Sequence, residues 1–222
     1  MDGFDDSLPS IERQIGGPKL GSGSLPLFPE SGFASRIPAS TLQGEWKGIP
    51  MAETFVEYRN RIMDHVRDGE DPMKLQAAAA KKIDRLVKGV SPAKLRKRPE
   101  PTKWSVAEIV AHLADVEIVI GYRMRMILGA PGTPIQAFNQ DEWVTSGHYE
   151  KRDTRKCIEQ FRVLREANLA LLKSLGPEQW KHFGIHSERG EESIELIVRL
   201  IAGHDLNHIR QIERILAPKA SN

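Results

Sequence analysis

The chain has 222 residues, 40% of them hydrophobic, with 32 basic and 30 acidic side chains and a formal net charge of +2. That is enough apolar material for one packed core with extensions, and the balanced charge leaves no footprint for a nucleic acid or an anionic membrane surface. One cysteine, Cys157, excludes an internal disulfide framework and a cysteine-rich zinc module, and no run reaches the ~18 apolar residues of a membrane span.

The start, Met1-Asp2-Gly3-Phe4-Asp5-Asp6, is acidic and lacks the apolar stretch of a signal peptide. The expected compartment is therefore the cytoplasm. Residues 1–50 are rich in Gly, Pro and Ser (Gly16-Gly17-Pro18, Gly21-Ser22-Gly23-Ser24, Pro26, Pro29, Pro38) and show no sustained periodicity. A flexible N-terminal extension is expected there. Composition changes at Met51, so 51–222 is expected to be the folded domain, and Met51 is itself a candidate for the natural start.

From Thr54 onward the spacing is helical. Phe55, Tyr58, Ile62 and Val66 predict a first helix over 54–67. Pro72 suits the first turn of a second, with Leu75, Ala79, Ile83 and Leu86 on one stripe and Gly89 at its end. A capping box, Ser105-Val106-Ala107-Glu108, opens a third. Its stripe runs Ile109, His112/Leu113, Val116, Ile120, Met124 and Ile127, and Gly129 stops it. A fourth begins at Asp153 or Thr154, with Cys157, Phe161, Leu164, Asn168, Leu171 and Leu175 facing in, and closes at Gly176-Pro177. The last runs from about Glu192 to Ala217, with Ile194, Ile197, Ile201, His204, His208, Gln211 and Ile215 in line. No stretch alternates with period two for long enough to predict a strand. The expected class is all-α.

His204 and His208 stand one helical turn apart on that last stripe, and His112 lies on the apolar face of the 105–129 helix. An i, i+4 pair brings two imidazoles to one side, about 5–6 Å apart at Cβ, which suits nitrogen bonds of about 2.0–2.1 Å to a single cation. Three histidines on two helices leave a coordination position open, as a catalytic site requires. The plainer alternative is three core histidines with hydrogen-bonded partners. Burying unpaired imidazoles on the stripe would cost roughly 1–3 kcal/mol each. Asp205 and Glu108 are candidates to orient the histidines from behind, although capping already accounts for Glu108. His148, His182 and His186 fall in predicted loops and His65 at a helix end, all expected to be solvated. Glu117 is expected in a surface or interhelical salt bridge with an arginine such as Arg123 or Arg125. The run Lys94-Leu95-Arg96-Lys97-Arg98 reads first as a solvated loop and second as a patch for an anionic thiol.

Depth constrains topology. His112 lies about 10 Å into its helix and His208 about 14 Å from the end of its own. They meet at one level if those helices run antiparallel. The 129–153 segment is long enough to carry the chain back, so a four-helix bundle with a long crossover between the second and third core helices is expected. A connection of that length usually has a purpose. Phe138, Asn139, Asp141 and Trp143 within it are candidates for substrate contact.

The stretch Lys103-Trp104-Ser105-Val106-Ala107-Glu108-Ile109-Val110-Ala111-His112-Leu113-Ala114-Asp115-Val116-Glu117 resembles the first signature of the DinB-like (DinB/YfiT) superfamily, and His204-Asp205-Leu206-Asn207-His208 its second. Phe138-Asn139-Gln140-Asp141-Glu142-Trp143 and the Arg165…Leu171-Leu172 helix resemble its middle region, so the likeness spans roughly 54–217. The resemblance implies an up-down-down-up four-helix bundle, homodimers, and a divalent metal, often nickel or zinc. By residue match its ligands are His112, His204 and His208. It further implies enzymes that work with a low-molecular-weight thiol. The expected function is thus a metal-dependent enzyme that activates a thiol or water for S-transfer or hydrolysis of a small molecule. The alternative is a non-catalytic, dimeric metal-binding or stress-response bundle with a closed site, completed by a carboxylate or by His148.

Overall fold

The computed structural model describes residues 54–218; the extension expected over 1–50 lies outside them. Each long helix starts where a side chain takes up backbone N–H groups that the helix itself cannot satisfy. Thr54 and Glu57 form a capping box on α1 (Phe55–Met63). Asp71 accepts from the Met73 and Lys74 amides ahead of α2 (Pro72–Val87), with Pro72 in the first turn. Ser91 caps the short α3 (Pro92–Arg96), and Ser105 with Glu108 boxes α4 (Val106–Gly129). Asn139 caps α5 (Gln140–Ser146), Asp153 caps α6 (Thr154–Lys173), and Ser193 caps α7 (Ile194–Leu216). Gly89, at φ 77°, sits in the left-handed region just past α2.

Cross-links give the direction of the helices. Asp115 meets Gln160, Glu117 meets Arg165, and Gly121 backs onto Asn168, so α4 and α6 are parallel. Gln76 bonds the Val198 carbonyl and Lys82 pairs with Glu213, so α2 and α7 are parallel. The early part of α4 (Val106, Ile109, Leu113) packs with Ile209 and Ile212 of α7. Its later part (Val116, Met124, Ile127) packs with Ile194, Ile197 and Val198. α4 and α7 are therefore antiparallel, and the four long helices run up, down, down, up as expected. Tyr149, in a single 3₁₀ turn before α6, pins the crossover: its hydroxyl donates to Asp115 at 2.7 Å, and Arg152 pairs with the same carboxylate at 2.7 Å.

The all-α expectation misses a small sheet. β1 (Pro134–Ile135) pairs parallel with β2 (Phe183–His186), which pairs antiparallel with β3 (Gly190–Ser193). Strands of two and four residues are too short to show period two, so nothing in the pattern could reveal them. The sheet ties the crossover to the entry of α7.

The face of α6 is also displaced from the expected one. Arg165, Leu169 and Leu172 are buried with Cys157 and Phe161, whereas Leu164 and Leu171 are only half-buried. α1 lies across α7 at Gly203, where a Cβ would stand 2.1 Å from the Ile62 carbonyl oxygen. Gly203→Ala should therefore force α1 outward at a cost of about 1–3 kcal/mol, read as a lower thermal unfolding midpoint; an unchanged midpoint would show that the contact yields freely.

Candidate metal centre

Six residues past the start of α4 and in the middle of α7, three imidazoles converge. His204 Nε2 is 3.2 Å from the Nε2 atoms of both His112 and His208, and one ring nitrogen from each residue lies within 4.8 Å of the others. Two nitrogens held at 2.0–2.1 Å and a tetrahedral angle stand about 3.3–3.4 Å apart, so the set has the dimensions of a metal-binding triad. No cysteine, aspartate or glutamate among the described residues joins it.

Protons alone serve these nitrogens poorly. Gln211 Oε1 lies 3.0 Å from His208 Nδ1, which assigns the proton to Nδ1 and leaves Nε2 as a bare lone pair. His204 Nε2 then faces two Nε2 atoms with at most one hydrogen to offer. A cation satisfies all three lone pairs at once. The rings are also kept neutral, as metal ligands must be. Desolvation, with Arg165 adding to it, brings His204 down to about 4. Desolvation and the neighbouring His204 bring His208 to about 3, and burial followed by the other two rings holds His112 well below its ordinary value. Trp104, from the turn before α4, packs 4.9 Å from His112 and lies parallel to His208 at 6.3 Å.

The two acidic candidates do other work. Asp205 turns from the histidines to Arg165, which it meets at 2.6 Å, and Glu108 is held by the Ser105 amide and by Arg98. Neither bonds an imidazole. The oriented ring is His208, and its partner is Gln211, one turn along the same face, a residue already on the stripe but not assigned a role. Glu117 makes the expected interhelical salt bridge, but with Arg165 at 2.7 Å, and it also meets Asn168 at 3.1 Å; Arg123 and Arg125 are not its partners. His148 is exposed beside Glu150 and cannot complete the triad. The basic run forms α3 and its end, with Leu95 buried and Arg98 committed to Glu108. It does not line the cavity beside the triad.

That cavity, of about 490 Å³, opens from His112 and His204. Val116, Ile120, Ile197 and Ile201 form apolar walls, and Phe138, Asn139 and Asp141 of the crossover stand at its edge. Asn139 Oδ1 is already used in capping α5. Trp143 is not in the lining; it packs on Phe138 with ring centroids 4.6 Å apart. At the far end lie Arg123, His186, Arg189 and Glu192. None of these was a sequence candidate. His186 is 2% exposed on β2 rather than solvated in a loop. His65 and His182 likewise each carry a buried ring nitrogen without a partner.

The profile of the DinB superfamily matches residues 76–212, and the chain belongs to that family. It is 22% identical over 136 residues to a protein of Oceanobacillus iheyensis named as a putative metal-dependent hydrolase, covering 61% of this chain and 78% of the relative. A Halalkalibacterium halodurans protein with the same kind of name is 24% identical over 122 residues, covering 55% and 71%. Among solved structures, YfiT from Bacillus subtilis, described as a probable metal-dependent hydrolase with an unusual four-helix bundle topology, superposes with a TM-score of 0.59 at 20% identity. The match covers 67% of this chain and 90% of that one, and the bundle topology is shared. Among the described residues no helix is long and apolar enough to cross a membrane.

Proposed function

We propose that this chain is a metal-dependent hydrolase of small molecules in which His112, His204 and His208 hold a divalent metal. The observation that carries the reading is the convergence of three neutral ring nitrogens beside a cavity large enough for a substrate. A divalent ion bound there supplies Lewis acidity and lowers the pKa of a coordinated water toward neutrality. The protein's part is positional. His112 and His204 line the cavity while His208 lies behind them, so an entering substrate meets the first two. Val116, Ile120, Ile197 and Ile201 keep bulk water from the reacting group. Gln211 fixes the His208 ring by accepting a hydrogen bond from its Nδ1–H.

Histidine nitrogens suit zinc, nickel and several other divalent ions, so zinc and nickel are the first to try. The reading favours water over a thiol as nucleophile, because the basic run that was to receive an anionic thiol does not line the cavity beside the triad.

The test is elemental analysis of the full-length chain beside a His112→Ala/His204→Ala variant, followed by assay against ester and amide panels. About one divalent ion per chain, lost in the variant together with hydrolysis, is expected. Absence of metal from both proteins after reconstitution would overturn the proposal. A consequence for stability can be read from the same samples. At free metal about 100 times its dissociation constant, the native state should gain about 2.7 kcal/mol, seen as a raised unfolding midpoint that EDTA reverses and that the variant lacks.

A further inference from the structure

Two buried donor groups, Arg123 and His186, stand at the far end of the cavity without an anion between them. Arg123 is 6% exposed. Its Nη2 donates to the Gln136 carbonyl at 2.6 Å, and its guanidinium lies 5.6 Å from the centre of the Phe138 ring. It has no ion-pair partner among the described residues, because the nearby carboxylate, Glu192, is gripped by Arg189 at 2.6 and 2.9 Å. The second donor is His186. Its Nδ1 accepts from the Glu188 amide at 3.2 Å, which places the ring proton on Nε2, and that buried Nε2 has no partner. Leaving a buried donor unmatched is costly, and a lone buried cation more so. Both donors line the same cavity as the histidine triad.

Resting on the metal-dependent reading above, we infer that Arg123 and His186 form a carboxylate-binding subsite, so that the substrate carries its reacting group at His112 and His204 and an acid at its other end. Arg and an imidazole N–H are matched donors for the two oxygens of a carboxylate, and an arginine–carboxylate contact in a desolvated place is among the stronger hydrogen bonds. Burial, with Arg189 adding to it, brings Arg123 down to about 10. It stays charged at neutral pH and gains from an anion. Burial likewise lowers His186, so it offers one N–H and no charge. Glu188 and Glu192 also line this end beside Arg189, so Arg123 is the cation left for a ligand, and the two acids disfavour a phosphate dianion over a single carboxylate.

The length of the ligand follows from the helix. Arg123 is eleven residues beyond His112, three turns along the same face of α4, or roughly 16 Å between Cα atoms. Val116 and Ile120 line the interval. Both side chains reach into the space between, so the ligand is an acid with an aliphatic body of several carbons.

The test uses two probes on the zinc-loaded, full-length protein: suberic monohydroxamic acid, whose hydroxamate chelates the metal, and the analogue whose free carboxyl is a methyl amide. Calorimetry should show the acid binding at least about tenfold more tightly. Arg123→Met should erase that preference while keeping metal content and the amide's affinity. Arg123→Lys should keep part of it, and His186→Leu should reduce it. Equal binding of acid and amide to the wild type overturns the subsite and leaves the metal reading standing. So does failure of both probes on a protein that holds its zinc, or tighter binding of a phosphonate-tailed analogue. A protein that takes up no zinc overturns the metal reading beneath it.

Discussion

Arg165→Met should destabilise the bundle by about 3–5 kcal/mol, the usual cost of removing one partner from a buried ion pair. Arg165 is 2% exposed and serves three elements. It donates to Asp205 on α7 at 2.6 Å and to Glu117 on α4 at 2.7 Å, and it bonds the Gln76 carbonyl of α2 at 3.0 Å. The two carboxylates hold its guanidinium protonated against desolvation. Take the guanidinium away and two acids are left in the core, one of them, Asp205, already pushed upward by burial. They must then ionise without a partner or take up protons. Met matches much of the aliphatic stem, so most of the loss is electrostatic. Urea unfolding of Arg165→Met beside Glu117→Gln/Arg165→Met/Asp205→Asn separates the terms, because the triple variant removes the stranded charges and should recover part of the loss. If Arg165→Met unfolds at the wild-type midpoint, the cluster holds nothing together. Asp205 directly follows His204, so the same pair anchors α7 beside the histidine triad.

The parts of this architecture that were legible in the sequence are those written in local chemistry. Ser105 with Glu108, Asp153, and Pro72 followed by Gly89 mark helix ends because a cap or a breaker acts within a few residues of itself. The triad was legible for a related reason: the i, i+4 pair is fixed by helix geometry, and the depth of His112 matches it once the long crossover makes the two helices antiparallel. What stayed hidden depends on partners distant in sequence. Arg165 reads as a solvent-facing charge until Glu117 and Asp205 arrive from two other helices, and it displaces the expected inward stripe of α6. Asp205 looked like a support for its neighbour histidine because nothing local shows the arginine. His186 looked solvated because the strand that buries it needs β1 and β3, neither long enough to leave a pattern. Asn139, expected at the substrate, does line the cavity; its capping role stayed hidden because α5 is too short to show periodicity.

His208→Ala should lower metal affinity by roughly 10²–10³-fold, if the ~10–16 kcal/mol of a four-ligand zinc site is shared about equally among ligands. His208 is the most constrained member of the triad, its ring held between Trp104 and the Gln211 amide, so little of its binding energy goes to ordering it. Gln211→Ala keeps all three ligands but frees the His208 ring, and a milder loss of about 10–100-fold is expected from removing such a support. Competition against a chromophoric chelator measures both, and equal affinities for all three proteins would remove His208 from the site. Acid separates the ligand role from a packing role. In the metal-free protein His204 and His208 titrate at about 4 and about 3, whereas in the unfolded chain they titrate near 6.5. Between those limits the unfolded state holds more protons, so stability falls as the pH drops from about 6.5 to about 4, with a slope of up to ~1.4 kcal/mol per pH unit for each ring. Metal blocks that protonation by occupying the same lone pairs, and the loaded protein should therefore resist acid to a lower pH than the EDTA-treated one. In His208→Ala one of the two rings is gone: the metal-free protein should lose stability less steeply on acidification, and most of the protection by metal should go with the missing ligand.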